Sequence, residues 1–153
     1  AHVDARLVDA GPVDHAVGPR QVDVLEDAGR QARRVRALAR VLLHAASHHD
    51  PKRRLEAAKE LLEKTSSTAD TDRDQVSLHL RAMSSLLRDV ELLGSGADAT
   101  GLANADVQQE LGRLQAYRGA RGVRAFLAVD RALEALDRNI NAKLVADWLL
   151  LQL

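Results

Sequence analysis

Residues 139–153 read NINAKLVADWLLLQL, and this stretch decides the fold that we expect. Asn141 is a residue type that caps helices, and the run that follows it is apolar on nearly every side. A surface helix normally carries a polar face, so a helix with so few polar positions must be covered on all its faces. The sequence therefore predicts a last helix that packs into its own bundle on one side and offers its other side to a partner.

Working back along the chain, apolar residues keep recurring at spacings of three and four, which places them on one face of a helix. The clearest helix precedes Gly94-Ser95-Gly96, which is expected to end it. Its stripe consists of Val76, Leu80, Met83, Leu87 and Val90. A long helix over about 21–47 is predicted from Leu25, Ala28, Ala32, Val35, Ala39, Leu42 and Ala46.

The other expected helices have weaker patterns but recognisable ends. Asp50-Pro51 has the residue types of an N-cap and a first helical position. The buried face of this helix is predicted to hold Leu55, Ala58 and Leu62, before a polar linker at 65–71. Asn104 is expected to cap a helix that carries Val107, Leu111 and Leu114. Gly119 and Gly122 are expected to bracket a turn before a helix with Val123, Phe126, Val129, Leu133, Leu136 and Ile140.

Composition agrees with an all-α bundle of five to seven helices. Of the 153 residues, 46% are hydrophobic but only 2% are aromatic, so the core must be built from leucine, alanine and valine. There are three prolines and no cysteine, which excludes a disulfide framework and thiolate chemistry. Cationic and anionic side chains balance at 22 each, whereas a dedicated nucleic-acid-binding domain is usually basic. No apolar stretch reaches the length of a membrane span.

An ordered series of short segments resembles the C-terminal domain of bacterial DNA polymerase III clamp-loader subunits, most closely the delta-prime type. The segments are Ser85–Leu93 (SLLRDVELL), Leu102–Asp106 (LANAD) and Arg138–Leu144 (RNINAKL), followed by the last helix. Ala142 departs from the family pattern, which usually has proline there. The resemblance covers residues 70–153 well and residues 20–65 loosely.

This resemblance implies a structural role. Residues 1–19, in which a short helix over 2–10 is expected, would be the tail of a preceding lid domain, and residues 20–153 a helical collar domain. In that family, the collar domains of five subunits form a ring that holds the loader together while it places the sliding clamp on DNA. The domain would be non-catalytic, cytoplasmic and without a cofactor or metal, and it would reach DNA only through the complex. The residues expected at the core and subunit interface are Leu144, Val145, Trp148, Leu149, Leu150 and Leu151, supported by Leu87 and Val90.

Other readings remain open at this point. A clamp-loader subunit of the delta or gamma type would change the partners but not the class of protein. A free-standing helical adaptor would have no replication role. A metal-dependent enzyme would use His44, His48 and His49, but these lie on one helix, and a catalytic zinc needs a third well-placed ligand and an open position. The glycines at 94, 96 and 101 lack the Gly-Lys-Ser/Thr sequence of a phosphate-binding loop, so ATP binding is not expected.

The segment 30–54 is rich in cationic side chains, which raises the question of a nucleic-acid surface. It contains Arg30, Arg33, Arg34, Arg36, Arg40, Lys52, Arg53 and Arg54. It lacks the aromatic side chains on which single-stranded bases stack. Runs of charge along a helix are usually its solvated face, and we interpret this one in the same way.

Overall fold

The computed structural model describes residues 19–63 and 69–153, and all regular structure within these ranges is helical. The α-helices in these ranges are α1 (Pro19–Ala46), α2 (Pro51–Glu63), α3 (Ala69–Gly94), α4 (Gln108–Leu111), α5 (Ala120–Asp137) and α6 (Ala142–Gln152). Short 3-10 turns occupy Ala99–Gly101, Ala105–Val107 and Gly112–Tyr117. The predicted all-α bundle of five to seven helices is therefore confirmed, with six α-helices in the described part of the chain.

Helix α3 is the centre of the bundle. Its predicted stripe is buried throughout, with no more than 2% of any side chain exposed: Val76, Leu80, Met83, Leu87 and Val90. It packs most extensively against α5 and α1. The helix ends at Gly94, as expected, and Gly96 follows with a φ of 75° while the N–H of Ala97 bonds the carbonyl of Leu92. Glycine adopts this left-handed conformation without steric cost, which allows the chain to turn away.

Helix α1 is covered by the bundle over only part of its length. From Val35 onward its predicted stripe is buried, including Ala39 and Leu42. Before that point Leu25 is 64% exposed and Ala28 is also exposed, so the prediction of a continuous buried face is wrong for this part. Spacing identifies which residues share a helix face, but a neighbouring element must be present to cover them.

The corner between α1 and α2 follows the predicted chemistry. Asp50 accepts the backbone N–H of Lys52 at 2.9 Å, and Pro51 is the first residue of α2. The buried face is rotated from the expected one, because it consists of Ala57, Ala58 and Leu61. The linker predicted at 65–71 is cut short by α3, which begins at Ala69, and its residues 65–68 lie outside the described ranges.

The single helix predicted after Asn104 is wrong. Residues 105–117 instead form two 3-10 segments separated by the short α4, and the backbone departs from helical geometry at Leu114 (φ −95°, ψ 23°). The side chain of Asn104 makes no capping bond, because other partners bind it. Leu111 and Leu114 are nevertheless buried as expected, whereas Val107 is only partly buried.

Helix α5 begins directly after Gly119, which has a φ of 62°, so the predicted turn ends there and Gly122 lies inside the first turn of the helix. The buried face of α5 consists of Gly122, Ala125, Ala128, Val129, Ala132 and Leu136. Val123 and Phe126, which belong to the apolar pattern expected for this helix, are 54% and 41% exposed. Small residues let α5 approach α3 closely, and the larger side chains are therefore displaced to the surface.

The expected tail of a preceding domain at residues 1–19 lies outside the described residues, apart from Pro19. So does the short helix expected over residues 2–10. Residues 20–153 were expected to form the helical domain, and within the described ranges their buried apolar side chains, other than that of Val35, form one cluster.

Candidate interaction surface of the last helix

Two asparagines set the direction in which α6 leaves α5. Asn139 has a φ of 61°, a left-handed conformation that asparagine adopts more readily than most residues. Asn141 then caps α6, because its side-chain oxygen accepts the N–H groups of Lys143 at 2.9 Å and Leu144 at 3.3 Å. This confirms the cap predicted from the sequence and brings α6 back onto the bundle within four residues of the end of α5.

The six residues expected at the interface divide into two groups. One group lies in the domain's own core with at most 4% of each side chain exposed: Val145, Leu149 and Leu150. The other group is exposed by 64%, 38% and 42%, respectively: Leu144, Trp148 and Leu151. The first three therefore belong to the core alone, because α6 presses them against α2 and α5. Leu87 and Val90, expected as supporting residues, are also buried.

The exposed group forms a continuous strip along α6. Leu144, Trp148 and Leu151 are spaced i, i+4 and i+7, so they project from one face of the helix. We call these three residues the α6 stripe. Beside it, Ile140 is 46% exposed and helps to line a shallow groove of about 330 Å³ between α5 and α6. A large apolar strip of this kind marks a surface that another molecule can cover.

One edge of the α6 stripe is polar. Lys143 Nζ lies 2.8 Å from the carboxylate of Asp147, one helical turn further on. Such exposed pairs add little to stability. This pair matters because it lies at the edge of the α6 stripe, and protein interfaces commonly combine an apolar centre with a polar rim.

Two arginines hold the end of α6 in place. Arg54 from α2 donates to the carbonyl of Leu151 at 3.1 Å, and Arg121 from α5 donates to that of Leu153 at 3.1 Å. Both guanidinium groups also bond carbonyls just after the end of α1. The last carbonyls of a helix have no partner within the helix, so these donors satisfy groups that would otherwise need water. The end of α6 is therefore fixed to three other parts of the bundle.

A buried polar network lies between α1, α3 and the loop after α3. The carboxylate of Asp89 is fully buried and accepts the N–H of Ala103 at 3.2 Å and the N–H of Asn104 at 2.7 Å. It also accepts the side-chain amide of Asn104 at 2.8 Å. The oxygen of that amide accepts from Arg36 at 3.3 Å, and Arg36 makes two 2.8 Å bonds to Asp106.

This network joins two of the segments that carry the family resemblance. Asp89 lies in the segment 85–93, and Asn104 and Asp106 lie in the segment 102–106. Sequence reasoning missed the contact, because it assigned Asn104 to a helix cap and gave Asp89 no partner. A buried carboxylate is costly unless hydrogen bonds replace its water, and the N–H groups of the loop supply those bonds here.

The candidate metal ligands His44, His48 and His49 all lie on the surface of the domain. The rings of His44 and His48 stack edge to face with centroids 5.4 Å apart, and both side chains are exposed, as is that of His49. Within residues 19–63 and 69–153, no three histidine, cysteine, aspartate or glutamate side chains are placed to share a metal ion. The pair is thus a surface contact between two neighbouring turns.

Several of the arginines in the segment 30–54 have partners in the protein. Arg36 and Arg40 form ion pairs with Asp106 at 2.8 Å and Glu110 at 3.5 Å. Arg54 bonds backbone carbonyls. Arg36, Arg40 and Arg54 are therefore partly buried and paired within the bundle, which differs from the solvated face interpreted from the sequence. The other cationic side chains of the run are exposed, as that interpretation expects.

A second apolar groove, of about 300 Å³, lies between α3 and α5. Its walls include Val123, Phe126 and Leu127, each more than 40% exposed, together with Leu92. This surface could not be predicted from the sequence, because the spacing that would bury Val123 and Phe126 also fits a helix that packs its alanine-rich face inward.

Comparison with known proteins finds no matching family model, no similar curated protein and no similar solved structure. Among the described helices, none combines the length and the apolar character that crossing a membrane requires.

Proposed function

We propose that this chain is a non-catalytic oligomerisation domain of a bacterial DNA polymerase III clamp-loader subunit, most similar to the delta-prime type. In this role it acts in the cytoplasm, binds the other loader subunits and approaches DNA only through the complex. It requires no cofactor of its own. The observation that carries the proposal is the α6 stripe, a row of large apolar side chains left uncovered on a helix whose other side is fully packed.

The composition of the α6 stripe supports this role. Trp148 has a large apolar ring, and tryptophan is one of the residue types that dominate the binding energy of protein interfaces. Leu144 and Leu151 flank it on the same face, and the pair Lys143–Asp147 supplies a polar edge. Because α6 is held by its cap and by two arginines, little ordering is needed when a partner binds.

The contact between Asp89 and Asn104 gives independent support. The resemblance rests on separate short segments, and two of them meet in a single buried network. Segments that contact one another in the fold support a family resemblance better than segments that lie apart on the surface. The contact between Asp89 and Asn104 bears on the family, whereas the α6 stripe bears on what the domain does.

Co-purification with the other subunits of the loader from the same organism tests the proposal. We expect the wild-type chain to assemble and Leu151→Glu to assemble poorly, because a glutamate would bury an unpaired charge at the interface. Thermal unfolding followed by circular dichroism should be nearly unchanged, since Leu151 is 42% exposed.

The matched control is Val123→Glu, which places the same charge on an exposed apolar residue of α5 that lines the groove between α3 and α5. It should assemble like the wild type. If the wild type fails to assemble with loader subunits, the clamp-loader assignment is wrong. If Leu151→Glu assembles normally, α6 is only a core helix and the interface assignment is wrong. The identity of the flanking subunits separates the delta-prime type from the delta and gamma types.

The groove between α3 and α5 favours a second candidate, a free-standing helical adaptor. Hydrophobic grooves between helices commonly receive the apolar face of a partner helix, and Phe126 offers a ring at this one. For an adaptor, we expect Val123→Glu to abolish binding of a partner that Leu151→Glu still binds, and we expect no association with loader subunits.

A further inference from the structure

A cavity of about 510 Å³ opens between α1 and the first half of α3. It shares no lining residue with the groove beside α6 or with the groove between α3 and α5. Its apolar lining comes from α1 and includes Val35, Leu38 and Val41, whereas α3 contributes Gln75 and His79. The volume lies within the range of pockets that hold small organic ligands.

His79 is a buried polar group in the wall of this cavity. Its side chain is only 6% exposed, and its Nδ1 atom lies 2.8 Å from the carbonyl oxygen of Gln75, one helical turn earlier. A carbonyl oxygen can only accept a hydrogen bond, so Nδ1 carries the proton and Nε2 of the neutral ring is an acceptor. Nε2 has no partner among residues 19–63 and 69–153, and it is not sealed from solvent. It is therefore available to a molecule in the cavity.

The imidazole of His79 is mostly neutral at pH 7. Burial lowers its pKa below 6.5, although the hydrogen bond to the carbonyl of Gln75 opposes this shift. A buried acceptor is costly to leave without a donor, because water that it loses must be replaced. An occupant of the cavity must therefore bring a hydrogen-bond donor to Nε2.

The cavity also has a cation without a partner. Arg34 is exposed and lines the cavity, and it forms no ion pair or hydrogen bond with any residue of the described ranges. The second arginine of the lining, Arg40, is paired with Glu110 at 3.5 Å. No acidic side chain is found among the described residues that line the cavity. A carboxylate suits Arg34, because a guanidinium group can bind both of its oxygens at once.

The cationic and apolar parts of the cavity lie at different heights along α1. Gln31, Arg34, Leu38 and Val41 follow one another at intervals of three, four and three residues, so they share one face of the helix. Val41, which is 49% exposed, lies about 10 Å along the helix from Arg34. The cavity thus offers a cationic end, an apolar end and a buried acceptor on its α3 wall.

We propose that this cavity binds a small amphipathic carboxylic acid that carries a hydroxyl group, as a medium-chain hydroxy fatty acid does. The carboxylate binds Arg34, the hydroxyl donates to Nε2 of His79, and the hydrocarbon chain covers Leu38 and Val41. A ligand of this size in an open cavity binds weakly, with a dissociation constant of roughly 0.1 to 1 mM. The site is distinct from the α6 stripe, so it goes beyond the oligomerisation role and does not depend on it.

Titration of the ¹⁵N-labelled 153-residue chain with 3-hydroxydecanoate, followed by NMR at pH 7 below the micellar concentration, tests the proposal. Decanoate is the matched ligand without the hydroxyl, and it should bind about fivefold more weakly, as expected for the loss of one hydrogen bond. His79→Phe should remove the difference between the two acids and leave the affinity for decanoate nearly unchanged. In the wild type, the Nε2 resonance of His79 should shift with 3-hydroxydecanoate and not with decanoate, which tests the contact without a substitution.

Arg34→Gln should weaken the binding of both acids by about three- to tenfold. Arg33→Gln is its matched control, because Arg33 is also an exposed arginine of α1 but does not line the cavity, and it should bind like the wild type. Equal affinity of the wild type for the two acids, or no saturable binding up to about 5 mM, would overturn the proposal. So would equal weakening by the two arginine variants, or shifts centred on Trp148 or Phe126 instead of on the residues of this cavity.

Discussion

Asp89 and Asn104 are bound to each other by two hydrogen bonds, of 2.7 Å from the backbone N–H and 2.8 Å from the side-chain amide of Asn104. The carboxylate belongs to α3, and the asparagine belongs to the loop that follows it. This contact fixes the position at which the chain crosses from α3 towards α4. It also presents the oxygen of the amide to Arg36, which ties α1 to the same loop.

Replacing the buried carboxylate should destabilise the domain strongly. Asp89→Ala leaves the N–H groups of Ala103 and Asn104 without an acceptor, and we expect a loss of about 2–4 kcal/mol in the free energy of unfolding. Urea unfolding followed by circular dichroism measures it. Asp98→Ala is the matched control, because Asp98 is exposed and caps a short turn, so its loss should cost no more than about 1 kcal/mol. Equal losses for the two variants would contradict this account.

The two sides of α6 should respond differently to truncation. Leu149 is fully buried, so Leu149→Ala should lower the free energy of unfolding by about 3 kcal/mol. Leu144 is 64% exposed, and Leu144→Ala should change it by less than about 0.5 kcal/mol. Trp148→Ala should fall between them at about 1–2 kcal/mol, because part of the ring remains in water. Urea unfolding of the isolated chain ranks the three, and a different order would show that α6 packs otherwise.

Gly122 is required by the close approach of the chain before α5. A β-carbon at this position would clash with the carbonyl oxygen of Tyr117, so Gly122→Ala should cost about 3 kcal/mol or more. Gly112→Ala is the control, since Gly112 has helical backbone angles and open space around it. That substitution should stabilise the protein by about 0.4–1 kcal/mol through the unfolded state. Thermal melts distinguish the two, and a stable Gly122→Ala variant would refute the close approach.

Protonation of His79 should couple stability to pH. Burial lowers the pKa of His79 below its ordinary value of 6.5, although a hydrogen bond to the carbonyl of Gln75 opposes this shift. The unfolded chain therefore binds the proton more readily than the folded one, so stability is retained above about pH 6.5 and declines as the pH falls below it. We expect the melting temperature to fall between pH 7 and pH 5, and to fall less for His79→Asn. The surface histidines are common to both proteins, so an equal fall in both would exclude His79 as the cause.

The ends of the helices could be predicted from sequence where local chemistry determines them. Asp50 with Pro51, Gly94 and Asn141 each end or begin a helix at the expected place. Each position is decided by a hydrogen bond or a backbone conformation that involves only neighbouring residues. The burial of the apolar stripe of α3 was equally predictable, because a helix at the centre of a bundle has neighbouring elements that cover each of its apolar sides.

The errors arise where a distant element decides the outcome. Leu25 has the right spacing for burial, but no part of the bundle covers it. Phe126 also has this spacing, but smaller residues of α5 occupy the positions that face the core. Asn104 has the right type for a cap, but Asp89, fifteen residues earlier, binds it instead. The α6 stripe was only half predictable, since the sequence shows an apolar helix without showing which of the six expected interface residues are buried in the core.

The exposed ring on α6 gives the protein a built-in optical reporter. Trp148 is the only tryptophan and Tyr117 the only tyrosine, and the tyrosine is fully buried while the tryptophan is 38% exposed. The fluorescence of the indole therefore reports on the outer face of α6 alone. A partner that covers this face should shift the emission towards the blue and shield it from iodide. Binding at the groove between α3 and α5, which Trp148 does not line, should leave the emission unchanged, so one spectrum separates the two surfaces without any added label.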